Sequence, residues 1–315
     1  MCSGSSFFDD WKFFTDADPT NGIVTYVDEA TASSNNLIGS LSNGTAIMSV
    51  ETTTPVAWTR KSVRIQSNMV FTGGLVLMDA VHMPTGCGTW PAFWSYGPDW
   101  PYNGEIDMME AISDETVNQY AIHTGSGCSL PTTDLTKIGL TTSKIYGATD
   151  CNPYNTNGAG CSIRDTDTRS FGPGFNKNGG GVVAMIWVTE GIQVWLFPRG
   201  SIPSDITAGT PKPGSWPAAQ LKAFWPASTC TIANFFNKHQ LVFDTTLCGN
   251  WAGNTWSSTD GGVAGQEQSC AARTGYSTCE AFVRAQGGSF SNAYWEVNYV
   301  KVYQDSSDTT MSYTL

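Results

Sequence analysis

Apolar and polar residues alternate along this chain in short runs, and turn residues bound most of them. Ser62 to Ser67 places Val63 and Ile65 on one face and Arg64 and Gln66 on the other. Leu75 to Met83 is mainly apolar, and Val117 to Thr124 alternates so that Gln119, Ala121 and His123 share a face. Val182–Val188 and Ile192–Phe197 flank Thr189-Glu190-Gly191, a hairpin signal. Gln240–Leu247 and Tyr294–Tyr303 are two further strands. Helical periodicity is scarce. Many short strands with Gly and Pro turns predict an all-β sandwich or barrel. No low-complexity linker or internal repeat divides the chain, so residues 1–315 read as a single domain.

Two stretches, 125–180 and 249–292, read as long loops rich in small and polar residues. Loops of that length in a compact domain are functional or pinned covalently, and cysteines in both supply the pins. Gly179-Gly180-Gly181 lacks the Gly-Lys-Ser/Thr of a phosphate loop and reads as a hairpin turn.

Composition narrows the class. A net charge of −11 over 315 residues argues against nucleic acid and anionic membranes as partners. No apolar run approaches a membrane span. Twelve Trp and eleven Tyr, with charged residues at only 14%, suit a secreted protein with aromatic contact surfaces. Of nine cysteines, Cys2, beside the start methionine, stands apart as a free thiol or a remnant of expression. The other eight form no C-x-x-C pair and read as disulfides, with Cys151–Cys161 and Cys270–Cys279 as local staples. Disulfides and the sequon Asn43-Gly44-Thr45 place the chain in an oxidising, extracellular setting, after removal of a signal peptide.

The chemistry concentrates in NGEIDMMEAI, residues 103–112. On a regular strand Glu105 and Asp107 share a face, while Glu110 would enter the apolar side with Met108. A lone carboxylate there costs several kcal/mol. One extra residue, a β-bulge at Met108-Met109, would return Glu110 to the face of Glu105 and Asp107, and bulges are enriched beside active sites. Three acids on one face repel each other, and one stays protonated near neutral pH. One protonated and one ionised carboxyl is the apparatus of glycoside hydrolysis, retaining when they lie about 5–5.5 Å apart. The competing readings are an acidic strand edge and a calcium site. Calcium prefers carboxylates in loops with carbonyls, whereas these acids alternate with Ile and Met.

The surroundings favour catalysis. Trp90, Phe93, Trp94, Tyr96, Trp100 and Tyr102 precede the acids, and indole faces stack on the C–H faces of sugars. Each one singly could equally be core. A hairpin return would set His123 beside the carboxylates.

The sequence resembles glycoside hydrolase family 16, the laminarinase and lichenase family. Gly104-Glu105-Ile106-Asp107-Met108-Met109-Glu110 is similar to its E-x-D-x-x-E signature. The resemblance extends to Gly88–Trp94, to Asn118-Gln119 through His123-Thr124, to Leu247–Gly253 and to Tyr294–Tyr303. Phe7–Trp11 and Asp18–Gly22 resemble its fungal secreted branch. The likeness covers a core of about residues 5–304 and leaves 305–315 as a peripheral tail. It implies a curved antiparallel sandwich of jelly-roll type with an open concave cleft. It implies Glu105 as nucleophile, Glu110 as general acid/base and Asp107 as their assistant. His123 matches the family's active-site histidine; Trp90, Trp94, Trp100, Arg64 and Trp251 would contact substrate, the last two on the glycone side. The implied activity is retaining endo-hydrolysis of β-1,3 or mixed β-1,3/1,4-glucan by a monomer. No cofactor is required, and a structural calcium ion is compatible with the scaffold. A transglycosylase on the same scaffold and a non-catalytic β-glucan lectin are the alternatives. The intact acid set speaks against the lectin, and neither G-x-S-x-G nor H-E-x-x-H is present.

Overall fold

A computed structural model describes residues 1–258 and 265–304; the expected tail, 305–315, lies outside the described residues. Two eight-stranded sheets pack as a jelly-roll sandwich, each joined throughout by antiparallel pairs. From one edge, the cleft sheet runs Ser143–Gly147, Cys161–Asp165, Gln119–His123, Glu105–Glu110, Thr89–Tyr96, Gln240–Leu247, Arg64–Ser67 and Trp11–Phe13. The supporting sheet runs Leu221–Pro226, Gly191–Pro198, Gly181–Val188, Gly74–His82, Tyr294–Tyr303, Ala46–Ser49 and Ile38–Ser40, with Cys2–Ser3 added beside Tyr294–Tyr303. Thr189-Glu190 closes the expected hairpin, Val188 pairing with Gly191.

Alternation builds the core. Ile65, Phe93, Ile106, Met108, Ile122 and Phe243 leave the cleft sheet on its inner face and join Leu75, Leu77, Met185 and Trp295 from the other sheet. Trp295 meets Phe243 edge-on at 5.3 Å. Each large side chain buried in this way contributes about 1.5–3 kcal/mol. The intervening positions, among them Arg64, Gln66, Trp94 and Asp107, are thereby turned to the opposite face, where the cleft lies. A short parallel pair, Val24–Tyr26 with Arg60–Ser62, brings Tyr26 to this cleft sheet.

Three expectations need correction. Residues 125–180 are not one long loop: Ser143–Gly147 and Cys161–Asp165 pair with each other and extend the cleft sheet to its edge. Gly179 and Gly180 end no hairpin. They follow the helix Gly172–Lys177, and their positive φ lets the Gly180 N–H bond back to the Phe175 carbonyl before the next strand begins. Cys270 and Cys279 do not pair with each other. Cys87 bonds Cys270 and Cys248 bonds Cys279, around a satellite core of Trp256, Phe282, Val283 and Phe290. Within 249–292 the structure holds helices at Cys270–Thr274 and Cys279–Ala285, each starting on a disulfide cysteine. Cys151–Cys161 pairs as expected, and Cys128 bonds Cys230. Cys2 is free. Among the described residues no helix is long and apolar enough to cross a membrane.

Candidate active site

Gly104 aims the acidic strand. Its φ is +80°, and a Cβ there would stand 2.3 Å from the Phe236 ring, so glycine alone admits the turn. The strand Glu105–Glu110 then pairs with its two neighbours, and both ladders slip by one residue after Asp107. Asp107 lies opposite Ala121 and Glu110 opposite Gln119, three residues against two. Met108 and Met109 are both fully buried. The bulge therefore returns Glu110 to the cleft face, as the spacing required. Asn118 fastens it: its Nδ2 donates to the Met108 carbonyl at 3.0 Å and its Oδ1 accepts from the Glu110 N–H at 2.8 Å. Those backbone groups lost ladder partners at the bulge, and the Asn amide supplies both.

The acids share one electrostatic field. Glu105 is pushed up to about 8, by burial first and then by Asp107. Glu110 is likewise pushed up to about 8, by burial and Asp107. Asp107, 2% exposed, lies well above the usual carboxylate range through burial and then Asp244. The three titrate as a set, so ionising one holds the others protonated. His123 pairs opposite Glu105, with Nε2 3.1 Å from Asp107 Oδ2 and 3.5 Å from Glu105 Oε1. These are close contacts without hydrogen-bond alignment, and among the described residues Asp107 Oδ2 is buried without a hydrogen-bond partner. Gly160 lets the imidazole in: a Cβ there would reach 2.8 Å from His123 Nδ1.

Aromatics wall both ends of this strand. Trp100 donates its indole N–H to Glu105 Oε2 at 2.6 Å, and Trp90 donates to Glu110 Oε1 at 2.7 Å. Trp251, carried on a single π-turn at Gly249–Gly253, meets Trp90 edge-on at 5.6 Å. Trp94 stacks on Tyr96, and the Arg64 guanidinium lies over Trp94 at 5.1 Å. Phe93 points the other way into the core, fully buried. The expected residues thus fall into two groups. Glu105, Asp107, Glu110, His123, Trp90 and Trp100 touch one another around the bulge, with Trp251 behind Trp90. Trp94 and Arg64 stand apart from them, around Asp244.

Asn118, Tyr26 and Asp244 join the site without being among the residues expected from sequence. For Asp244 the sequence offers a signal: it is the one charged residue of the strand Gln240–Leu247, on the same alternating face as Val242 and Thr246. Asn118 lies in a stretch that carries the family resemblance, but nothing local marks its clamp on the bulge; Tyr26 has no local signal, because its contact with Asp244 spans 218 positions.

Glu105, Asp107 and His123 each offer a ligand atom within 4.8 Å of the others. Two carboxylates and an imidazole do not match calcium, which takes about six to eight oxygens.

A family model described as "XgeA-like, catalytic GH16 domain" matches residues 11–303. The chain belongs to glycoside hydrolase family 16. Among its relatives, a probable glycosidase of Schizosaccharomyces pombe is 38% identical over 96% of this chain and 67% of its own length. A probable endo-1,3(4)-beta-glucanase of Aspergillus niger is 40% identical over 96% of this chain and 39% of its own. An endo-1,3(4)-beta-glucanase of Arthroderma benhamiae is 35% identical over 97% and 64%. The chain therefore spans between about two fifths and two thirds of these relatives. Among solved structures, Laminarinase 16A of Phanerochaete chrysosporium, with 6-O-glucosyl-laminaritriose in both donor and acceptor sites, superposes with a TM-score of 0.84. It shares 34% identity over 96% of this chain and 97% of that one. An elongating family 16 β-1,3-glucosyltransferase superposes at 0.83 with 35% identity, over the same shares.

Proposed function

We propose that this chain is a secreted, monomeric, single-domain endo-hydrolase that cleaves β-1,3 and mixed β-1,3/1,4-glucans with retention. The observation that carries the reading is the bulge after Asp107, which sets Glu105, Asp107 and Glu110 on one cleft face. Four disulfides support an oxidising, extracellular setting.

In the mechanism, ionised Glu105 attacks the anomeric carbon. Glu110, protonated because burial and Asp107 raise it, gives its proton to the departing glycosidic oxygen. A covalent glycosyl-enzyme forms. Glu110, now ionised, takes a proton from water as that water attacks the anomeric carbon, and Glu105 leaves. Asp107 holds a proton between the two, and the Trp100 N–H supports the charged form of Glu105. No step calls for a metal or an organic cofactor.

Azide separates the two glutamates. Glu105→Ala with an activated β-fluoride donor should yield the α-glycosyl azide, by one inversion. Glu110→Ala with an activated aryl donor should yield the β-azide, by two. Swapped anomers would exchange the roles, and full activity in both variants would end the proposal.

Transglycosylation is the second reading, favoured by the likeness to the elongating glucosyltransferase. The same residues serve it, with a sugar hydroxyl replacing water. Products longer than the starting oligosaccharide, measured beside reducing-end release, would decide for it.

A further inference from the structure

Asp244 lies on the strand Gln240–Leu247, in register with Arg64 on one side and Ala92 on the other. Ala92 in turn pairs with Glu110. Glu110, Ala92, Asp244 and Arg64 make one row across the cleft face, with only a methyl group between the two acids. Two strand spacings separate them, about 10 Å between backbones, a width that a pyranose ring can bridge.

The carboxylate is buried, yet no ion pair joins it to its register partner Arg64 among the described residues. Two neutral donors hold it instead: the Trp94 indole N–H reaches Oδ1 at 2.9 Å, and the Tyr26 hydroxyl reaches Oδ2 at 3.2 Å. From below, the Trp295 indole of the supporting sheet donates to the Asp244 carbonyl at 3.2 Å, which anchors the residue's backbone. Arg64 is clamped between Phe14, at 4.4 Å, and Trp94, and its buried Nε has no hydrogen-bond partner among the described residues. Trp94 is therefore fixed on three sides, by Tyr96, Arg64 and Asp244, and of these only Asp244 sets the rotation of the indole about its own edge.

We propose that Asp244 is a positioning residue for glucan recognition, fixing the Trp94 indole as the wall against which a sugar beside Glu110 stacks. The inference rests on the proposed β-glucan activity and adds the residue that orients its glycone side. A second consequence follows from charge. The ionisable groups facing Asp244 are Arg64 from the adjoining strand, Asp18 from the N-terminal loop, Tyr26, and Asp107 and Glu110 from the acidic strand. Its negative charge favours the protonated form of both acids on that strand.

Binding without turnover tests the positioning role. In a Glu105→Gln background, laminarihexaose is titrated by calorimetry. Adding Asp244→Ala should weaken binding tenfold or more, whereas Asp244→Asn, which keeps an acceptor for Trp94, should stay within about threefold. In a Trp94→Phe background, Asp244→Ala should add nothing further. Binding unchanged by Asp244→Ala, or full additivity with Trp94→Phe, overturns the proposal. Should the parent Glu105→Gln bind no β-glucan at all, the proposed function fails instead. Asp244→Asn with Glu105 intact supplies an independent readout if Asp244→Ala does not fold. Loss of the charge should move the basic limb of kcat/KM to lower pH, and an unmoved limb counts against the role.

Discussion

The indole N–H of Trp90 donates to Glu110 Oε1 at 2.7 Å, and this bond stabilises the charged form of a carboxyl that burial and Asp107 otherwise keep protonated. Trp100 does the same for Glu105. Each glutamate of the candidate pair is gripped by an indole from a different end of the cleft. The two roles can therefore be probed without touching either acid.

Trp90→Phe removes a donor that lowers the pKa of Glu110. The acid should stay protonated to higher pH, and the basic limb of kcat/KM should move up. Trp100→Phe removes the corresponding donor from Glu105, so the nucleophile should ionise later and the acidic limb should move up. Measured pH–rate profiles check both. Movement of the same limb in the two variants would contradict the assigned roles.

The bulge makes a prediction of its own. Deleting Met108 restores strict alternation and still leaves Glu105, Asp107 and Glu110 on one face. Stability should fall by about 2–5 kcal/mol for the lost core side chain, while measurable activity persists. Inserting Ala between Met108 and Met109 also allows strict alternation with Glu110 on the cleft face, but it carries Glu110 about 7 Å further along the strand from Glu105 than the deletion does. That variant should lose activity, because the two carboxyls no longer lie about 5–5.5 Å apart, while Met108 and Met109 keep their core side chains. Denaturant melts and initial rates on laminarin distinguish the pair.

Stability should depend on pH through the same acids. Glu105 and Glu110 sit near 8 in the folded state, against about 4.3 in the unfolded chain. The folded state then binds more protons, so this contribution is fully present below about pH 4.3 and is lost as pH rises through 8. Thermal midpoints should fall between pH 5 and pH 8. Glu105→Gln and Glu110→Gln should each flatten that fall and melt higher than the parent at pH 8, but not at pH 4. A parent whose midpoint rises over this interval would show the acids to be stably paired.

Disulfide removal should be graded. Cys128–Cys230 closes 102 residues and Cys151–Cys161 only 10. In the chain-entropy account, opening the first costs about 4–5 kcal/mol and the second about 1–2 kcal/mol less. Serine double variants followed by thermal melts test the order. Opening Cys151–Cys161 should also lower activity, because that loop carries Gly160 against His123. A variant that melts lower but turns over normally would separate the staple from the site.

What the chain reveals by itself is local. The strands at 75–83 and 240–247 were legible as short runs rich in apolar residues, and those at 62–67 and 117–124 because period two marks their faces. The bulge was legible for the same reason: Glu110 out of step with Asp107 admits few solutions that avoid burying a lone carboxylate. The triad, the aromatic stretch before it and His123 followed from those strands and from the family signature. The edge strand Ser143–Gly147 and its neighbour Cys161–Asp165 stayed hidden. The first is half exposed, in an Asn-, Gly- and Thr-rich setting, so neither face is marked as dry. Cysteine pairing was beyond local reading too, since Cys87 and Cys270 are 183 positions apart and meet only because the sandwich folds. The same holds for Asp244. Its acidity and its face are written in the strand, but Tyr26, Trp94, Arg64 and Trp295 reach it from four other strands. Only the packed sheets decide that this carboxylate orients an indole rather than simply facing solvent.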